Sequence, residues 1–139
     1  MRIDRVVSRL PDGVEHVCTL VLQDPGLHVI HTGDVQQLPG YEPNNTDSAE
    51  LEEIIKSELR IDEFPLEQLS SEEKSAFVNL ADVHEVTVTS ETMPPGVEVP
   101  LIQLRTSIND YTFLFPYGSV DLVRSFGDAL RQAAPQISH

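Results

Sequence analysis

The stretch from Val97 to Ala134 leaves this chain few ways to fold. It reads VEVPLIQLRTS, INDYTFLFPYG and SVDLVRSFGDALRQAA: two β-prone runs flanking Asn109-Asp110, then a helical pattern. Asn and Asp side chains bond to nearby backbone and tolerate positive φ, so the pair predicts a reversal, as a tight turn or a three- or four-residue loop. Ser119 is placed to cap a helix over 119–133, with Asp121 favoured by the positive end of the dipole. Along that helix Leu122, Phe126, Ala129, Leu130 and Ala133 form the expected apolar stripe.

Upstream, RIDRVVSR reads as a short strand or a brief helix, and Pro11-Asp12-Gly13 as a turn. Val14–Leu22 alternates, which predicts a strand with one apolar face and one mixed face. After Asp24-Pro25-Gly26, Leu27–Thr32 and Asp34–Leu38 read as two strands around Gly33, so a meander is expected. The composition turns acidic beyond Pro39-Gly40. Asp47 with Glu50 has capping-box spacing, and Leu51, Ile54, Ile55 and Leu59 predict a helix over Ser48–Arg60. Ser70 with Glu73 repeats that spacing and predicts a shorter helix to about Asn79. Val83–Thr89 resumes the strand pattern, which Met93-Pro94-Pro95-Gly96 interrupts. The expected organisation is one α+β domain over residues 1–139: several strands, a helical insert at about 41–80, further strands and a terminal helix.

Composition narrows the function classes. With 23 acidic and 9 basic side chains, the formal net charge is −14. Such a charge opposes binding to phosphate backbones and anionic lipid, so neither nucleic acid nor membrane is an expected partner. No apolar run is long enough to span a bilayer, and the N-terminus lacks a secretory pattern, so a cytoplasmic location is expected. The single cysteine, Cys18, excludes an internal disulfide framework and reads as a small buried hydrophobe.

The sequence carries no phosphate loop, dinucleotide fingerprint, paired-cysteine motif or nucleophile elbow, and no cofactor is expected. Ser119, Asp121 and His84 assemble into a triad on paper without supporting context. His16 and one of His28 and His31 are expected to meet across a hairpin, while His28 and His31 fall on opposite strand faces. Two histidines fall short of the three or four ligands a metal site wants, so no metal is expected. Glu50, Glu52, Glu53, Glu72 and Glu73 form a candidate acidic binding face, the plainer reading of which is a solvated helix surface.

TFLFPYGSVDLVRSFGDALRQ, a strand followed by an amphipathic helix, resembles the end of pleckstrin-homology and GRAM-type domains, and LVLQDPGLHVIHTGDVQQL resembles their strand–turn–strand portion. The resemblance implies a curled antiparallel sheet or partly open barrel with a C-terminal capping helix. Phosphoinositide binding is not carried over, because the loop Gln23-Asp24-Pro25-Gly26 is acidic. The expected function is a non-catalytic protein-interaction or adaptor module, using a sheet edge or the groove beside the terminal helix. The alternatives are an acidic inhibitor or immunity-type protein that meets a basic partner, and a small cytosolic enzyme or small-molecule binder.

Overall fold

A computed structural model of the chain describes residues 1–9, 15–23, 26–34, 48–93 and 96–137. The Pro11-Asp12-Gly13 turn, Asp24-Pro25, the expected strand after Asp34, the Asp47 cap and Pro94-Pro95 lie outside the described residues. So do the side chains of Glu50 and Leu51.

The elements are β1 (Arg2–Arg9), β2 (Glu15–Gln23), β3 (Gly26–Asp34), α1 (Ser48–Glu63), α2 (Leu66–Ser70), β4 (Ala76–Asn79), β5 (Val83–Met93), β6 (Val97–Thr106), β7 (Asp110–Leu114) and α3 (Val120–Ala133). The strands form a seven-stranded antiparallel sheet in the order β4-β3-β2-β1-β7-β6-β5. A 3₁₀ turn at Leu80–Asp82 joins β4 directly to β5. The fold is therefore α+β, with a sheet that does not close into a barrel and a helix at its C-terminal end.

Both faces of the sheet are covered. Side chains of successive strand residues point to opposite faces, and neighbours divide accordingly. Val6, Cys18, Val29, Ile102 and Phe113 join one core with Val123, Phe126 and Leu130 of α3. Val7, Val17, Leu101 and Leu114 join another with Ile54 of α1, while Ile30 packs with Ile61 and Leu69. The mixed face expected of β2 is thus a buried one, with Val17 and Thr19 both fully covered.

The β6–β7 reversal is a three-residue loop, Ser107–Asn109, with Asp110 already in β7. The Thr106 hydroxyl organises it by accepting the backbone N–H groups of Ile108 and Asn109 at 3.2 and 2.9 Å. Ser119 caps α3 as the sequence implies, its hydroxyl accepting Leu122 N–H at 3.1 Å.

Four expectations are corrected. Gly33 does not break β3, which runs through it opposite Val17 beside a bulge. Ser70 ends α2 rather than starting a helix, and Ala76–Asn79 is a strand because pairing with Gly26–Val29 satisfies its backbone. In α3 the buried stripe is Val123, Phe126, Gly127 and Leu130, leaving Leu122 exposed. Gly127 sets that rotation, since a Cβ there would meet Val88 Cγ2 at 2.5 Å. Among the described side chains of α1 the buried positions are Ile54, Glu58 and Ile61, and Leu59 is 57% exposed.

A bulge in β1 explains the buried Glu58. Ile3 pairs with Leu20 and Val6 with Cys18, so Asp4 and Arg5 together oppose Thr19. Arg5 takes φ 56°. Its guanidinium lies 3.4 Å from the Glu58 carboxylate, and Asp4 accepts the Thr19 hydroxyl at 2.8 Å. Arg2 adds bonds to Asp62 at 3.0 Å and to the Glu58 carbonyl at 2.9 Å, tying α1 to β1.

Burial pushes the Glu58 carboxyl above its ordinary value, opposed by Arg5 and reinforced by Asp4. A carboxyl raised in the folded state stabilises the fold while protonated, and this contribution is lost as pH rises through the raised value. The stability of wild type minus that of Glu58→Gln should therefore fall as pH rises above about 4, the ordinary glutamate range. Denaturant unfolding at each pH measures it. A difference that instead grows with pH makes attraction to Arg5 the dominant effect.

Candidate functional site

The sheet has two edges, and they differ. β4 is four residues long, whereas β5 spans eleven with no Lys, Arg or Pro in VHEVTVTSETM. Natural edges are commonly blunted by those residues or by shortness, and β5 has neither protection.

The direction of its backbone groups follows from hydrogen bonds on the far side of β6. Thr106 N–H donates to Asn109 and Pro100 C=O accepts from Phe115 N–H, at 3.1 and 2.9 Å. Thr106 and Pro100 therefore face the β7 side, and Leu101, Gln103 and Arg105 face β5. Their partners Thr89, Thr87 and Glu85 turn inward. The alternate residues Val86, Val88, Ser90 and Thr92 turn their N–H and C=O outward. Val86 C=O is taken by the Arg131 guanidinium at 3.1 and 3.2 Å, which stitches α3 along the edge. Beyond it, Val88, Ser90 and Thr92 continue toward the hairpin tip.

A cavity of about 360 Å³ lies beside this segment, lined by Val88, Thr89, Ser90, Glu98, Pro100, Val120, Val123 and Arg124. Its floor is the β5–β6 hairpin and its wall the first turns of α3. Val120 is 53% exposed there. The arrangement offers backbone groups for an added strand and an apolar recess for one of its side chains. It assembles no nucleophile and base. Ser119 is occupied as a helix cap, and the paper triad has no further support.

The candidate acidic residues do not converge on that groove. Glu50, Glu52 and Glu53 lie in α1, and Glu72 and Glu73 in the turn after α2. Glu52 and Glu73 are exposed. Glu53 accepts from Lys56 at 3.5 Å and Glu72 from Arg60 at 3.1 Å, so two of the acids are locally compensated.

His16 and His31 meet across the β2–β3 pair with ring centroids 5.3 Å apart, as expected. His28 is buried elsewhere, its Nδ1 3.2 Å from the Ser70 hydroxyl and its ring against Phe77. Desolvation lowers its pKa. Among the described residues no group of three or more His, Cys, Asp or Glu is arranged to hold a metal ion. Cys18 is fully enclosed, and burial pushes its thiol up, away from the nucleophilic thiolate. No helix among the described residues is long and apolar enough to cross a membrane.

Sequence reasoning named the edge and the groove beside the terminal helix but no residue in either. Val88, Ser90, Glu98, Pro100 and Arg124 carry no local motif; they become neighbours only through hairpin pairing and helix packing. No protein-family model matches the chain, and neither a curated protein nor a solved structure matches it.

Proposed function

We propose that the chain is a non-catalytic protein-interaction module that receives an extended segment of a partner along β5, beside α3. The observation that carries this reading is the outward-turned backbone of Val88, Ser90 and Thr92 next to the cavity walled by Val120 and Val123. A strand added there completes its main-chain hydrogen bonds on β5 and buries alternate side chains in the recess. The antiparallel sheet with its terminal helix is compatible with a pleckstrin-homology-like fold, and that superfold hosts binding as well as other functions.

Ser90→Pro tests it. Proline removes the outward N–H and is tolerated on an edge strand, where that group faces solvent in the free protein. Peptides enriched from a displayed random library on the wild type should lose at least about tenfold in affinity for the variant. The melting temperature of the free protein should stay nearly unchanged. Equal binding by both proteins removes β5 as the docking edge.

A further inference from the structure

Charge sharpens the chemistry of the expected occupant, and this inference rests on the β5 docking reading. Of the nine Lys and Arg side chains, seven lie within ion-pair distance of a carboxylate: Arg2, Arg5, Arg9, Lys56, Arg60, Arg105 and Arg131. The other two, Lys74 and Arg124, have no such partner among the described residues, although acids outnumber bases by more than two to one, and of the two Arg124 lines the cavity. Glu98 is likewise without an ion pair there. Both line the same cavity, with Val88, Pro100, Val120 and Val123 as its apolar lining. Two opposite charges that face one groove without neutralising each other leave room for a charged pair from elsewhere.

Their order along the edge is set by the packing. Arg131 bonds Val86 and Gly127 abuts Val88, so α3 runs opposite to β5. Arg124, one turn before Gly127, comes next along the edge. Glu98 pairs with Thr92, nearer the hairpin tip. A strand running antiparallel to β5 passes Thr92 first, Ser90 second and Val88 last. Its side chains on the groove face recur every second residue. The first meets Glu98, the second meets Arg124 level with Ser90, and the third lies over Val88 where Gly127 packs.

We infer that the groove accepts an extended peptide of charge order base-x-acid-x-apolar, laid antiparallel to β5. The probes are two acetylated, amidated peptides of identical composition, Thr-Lys-Thr-Glu-Thr-Leu-Thr and Thr-Glu-Thr-Lys-Thr-Leu-Thr, each with one fluorophore. Fluorescence polarisation should show the Lys-first peptide binding about tenfold more tightly, the scale expected when two exposed ion pairs replace two like-charge contacts. The double variant Glu98→Lys with Arg124→Glu should reverse the preference. Both positions are exposed, so folding should survive, and a thermal melt checks it.

Equal binding of the two peptides, or a preference that the charge swap leaves intact, overturns the inference. If both bind equally and both are lost in Ser90→Pro, the docking edge stands and the charge order falls. If neither binds, the charge order falls, and the library selection judges the edge separately. A wild-type dimer in sedimentation that Ser90→Pro disperses assigns the edge to a second copy and also overturns the inference.

Discussion

Phe126→Ala should cost about 3–5 kcal/mol of folding free energy, among the largest effects of any single truncation in this chain. Phe126 is fully buried and sits in the core that α3 shares with all seven strands. Its ring lies 6.5 Å, centroid to centroid, from Phe115, the residue that follows β7. Truncation removes transfer free energy and leaves a cavity, and the surrounding strands are too interlocked to collapse into it. Urea unfolding measures the effect as a lowered midpoint with an unchanged slope. A loss below about 1 kcal/mol means that α3 does not close this core. Under the proposed docking on β5, peptide binding should weaken in parallel, because Val120, Val123 and Arg124 reach the groove only through the seating of α3.

Ile54→Ala should cost about 2–5 kcal/mol, while Leu59→Ala should stay within about 0.5 kcal/mol. The pair is diagnostic because both residues belong to the stripe that the sequence predicts for α1. Ile54 is fully enclosed with Val7, Val17, Leu101 and Leu114, whereas Leu59 is 57% exposed. Comparable losses at the two sites would turn α1 back toward the register of the sequence stripe. Amide exchange adds a second readout. Loosening α1 in Ile54→Ala should raise exchange in α1 and in the β1 bulge joined to it by Arg2, Arg5 and Glu58.

Charge and fold bear differently on function. The net charge of −14 belongs to the whole surface, and its candidate acidic face draws on α1 and the turn after α2. There Lys56 and Arg60 already answer Glu53 and Glu72. The groove departs from the bulk charge because it holds Arg124 and Glu98, neither of which has an ion-pair partner among the described residues. A partner matched to the average charge would simply be basic. One matched to the groove carries both signs in a fixed order.

Where local patterning and tertiary packing agree, the sequence was sufficient. Ser119 opens α3 because a hydroxyl one residue before a helix satisfies a free N–H wherever the helix later packs. β6 and β7 follow from alternation, and a reversal falls between them as expected, organised by the Thr106 hydroxyl rather than by the Asn109 and Asp110 side chains; His16 meets His31 because their strands are neighbours in sequence. Other features depended on long-range contacts. Gly127 scores as a gap in an apolar stripe, yet its missing side chain admits Val88 and draws the buried face of α3 away from Leu122. Glu58 reads as a solvent-facing acid until the β1 bulge brings Arg5 beneath it. Ala76–Asn79 has helical company in sequence, but β3 supplies the hydrogen bonds that make it a strand. The groove belongs to this second group. Its lining comes from two strands and a helix, and the outward direction of Ser90 depends on how β6 bonds to β7. Local sequence encodes periodicity and caps, whereas the tertiary structure decides which face, edge and charge remain without a partner.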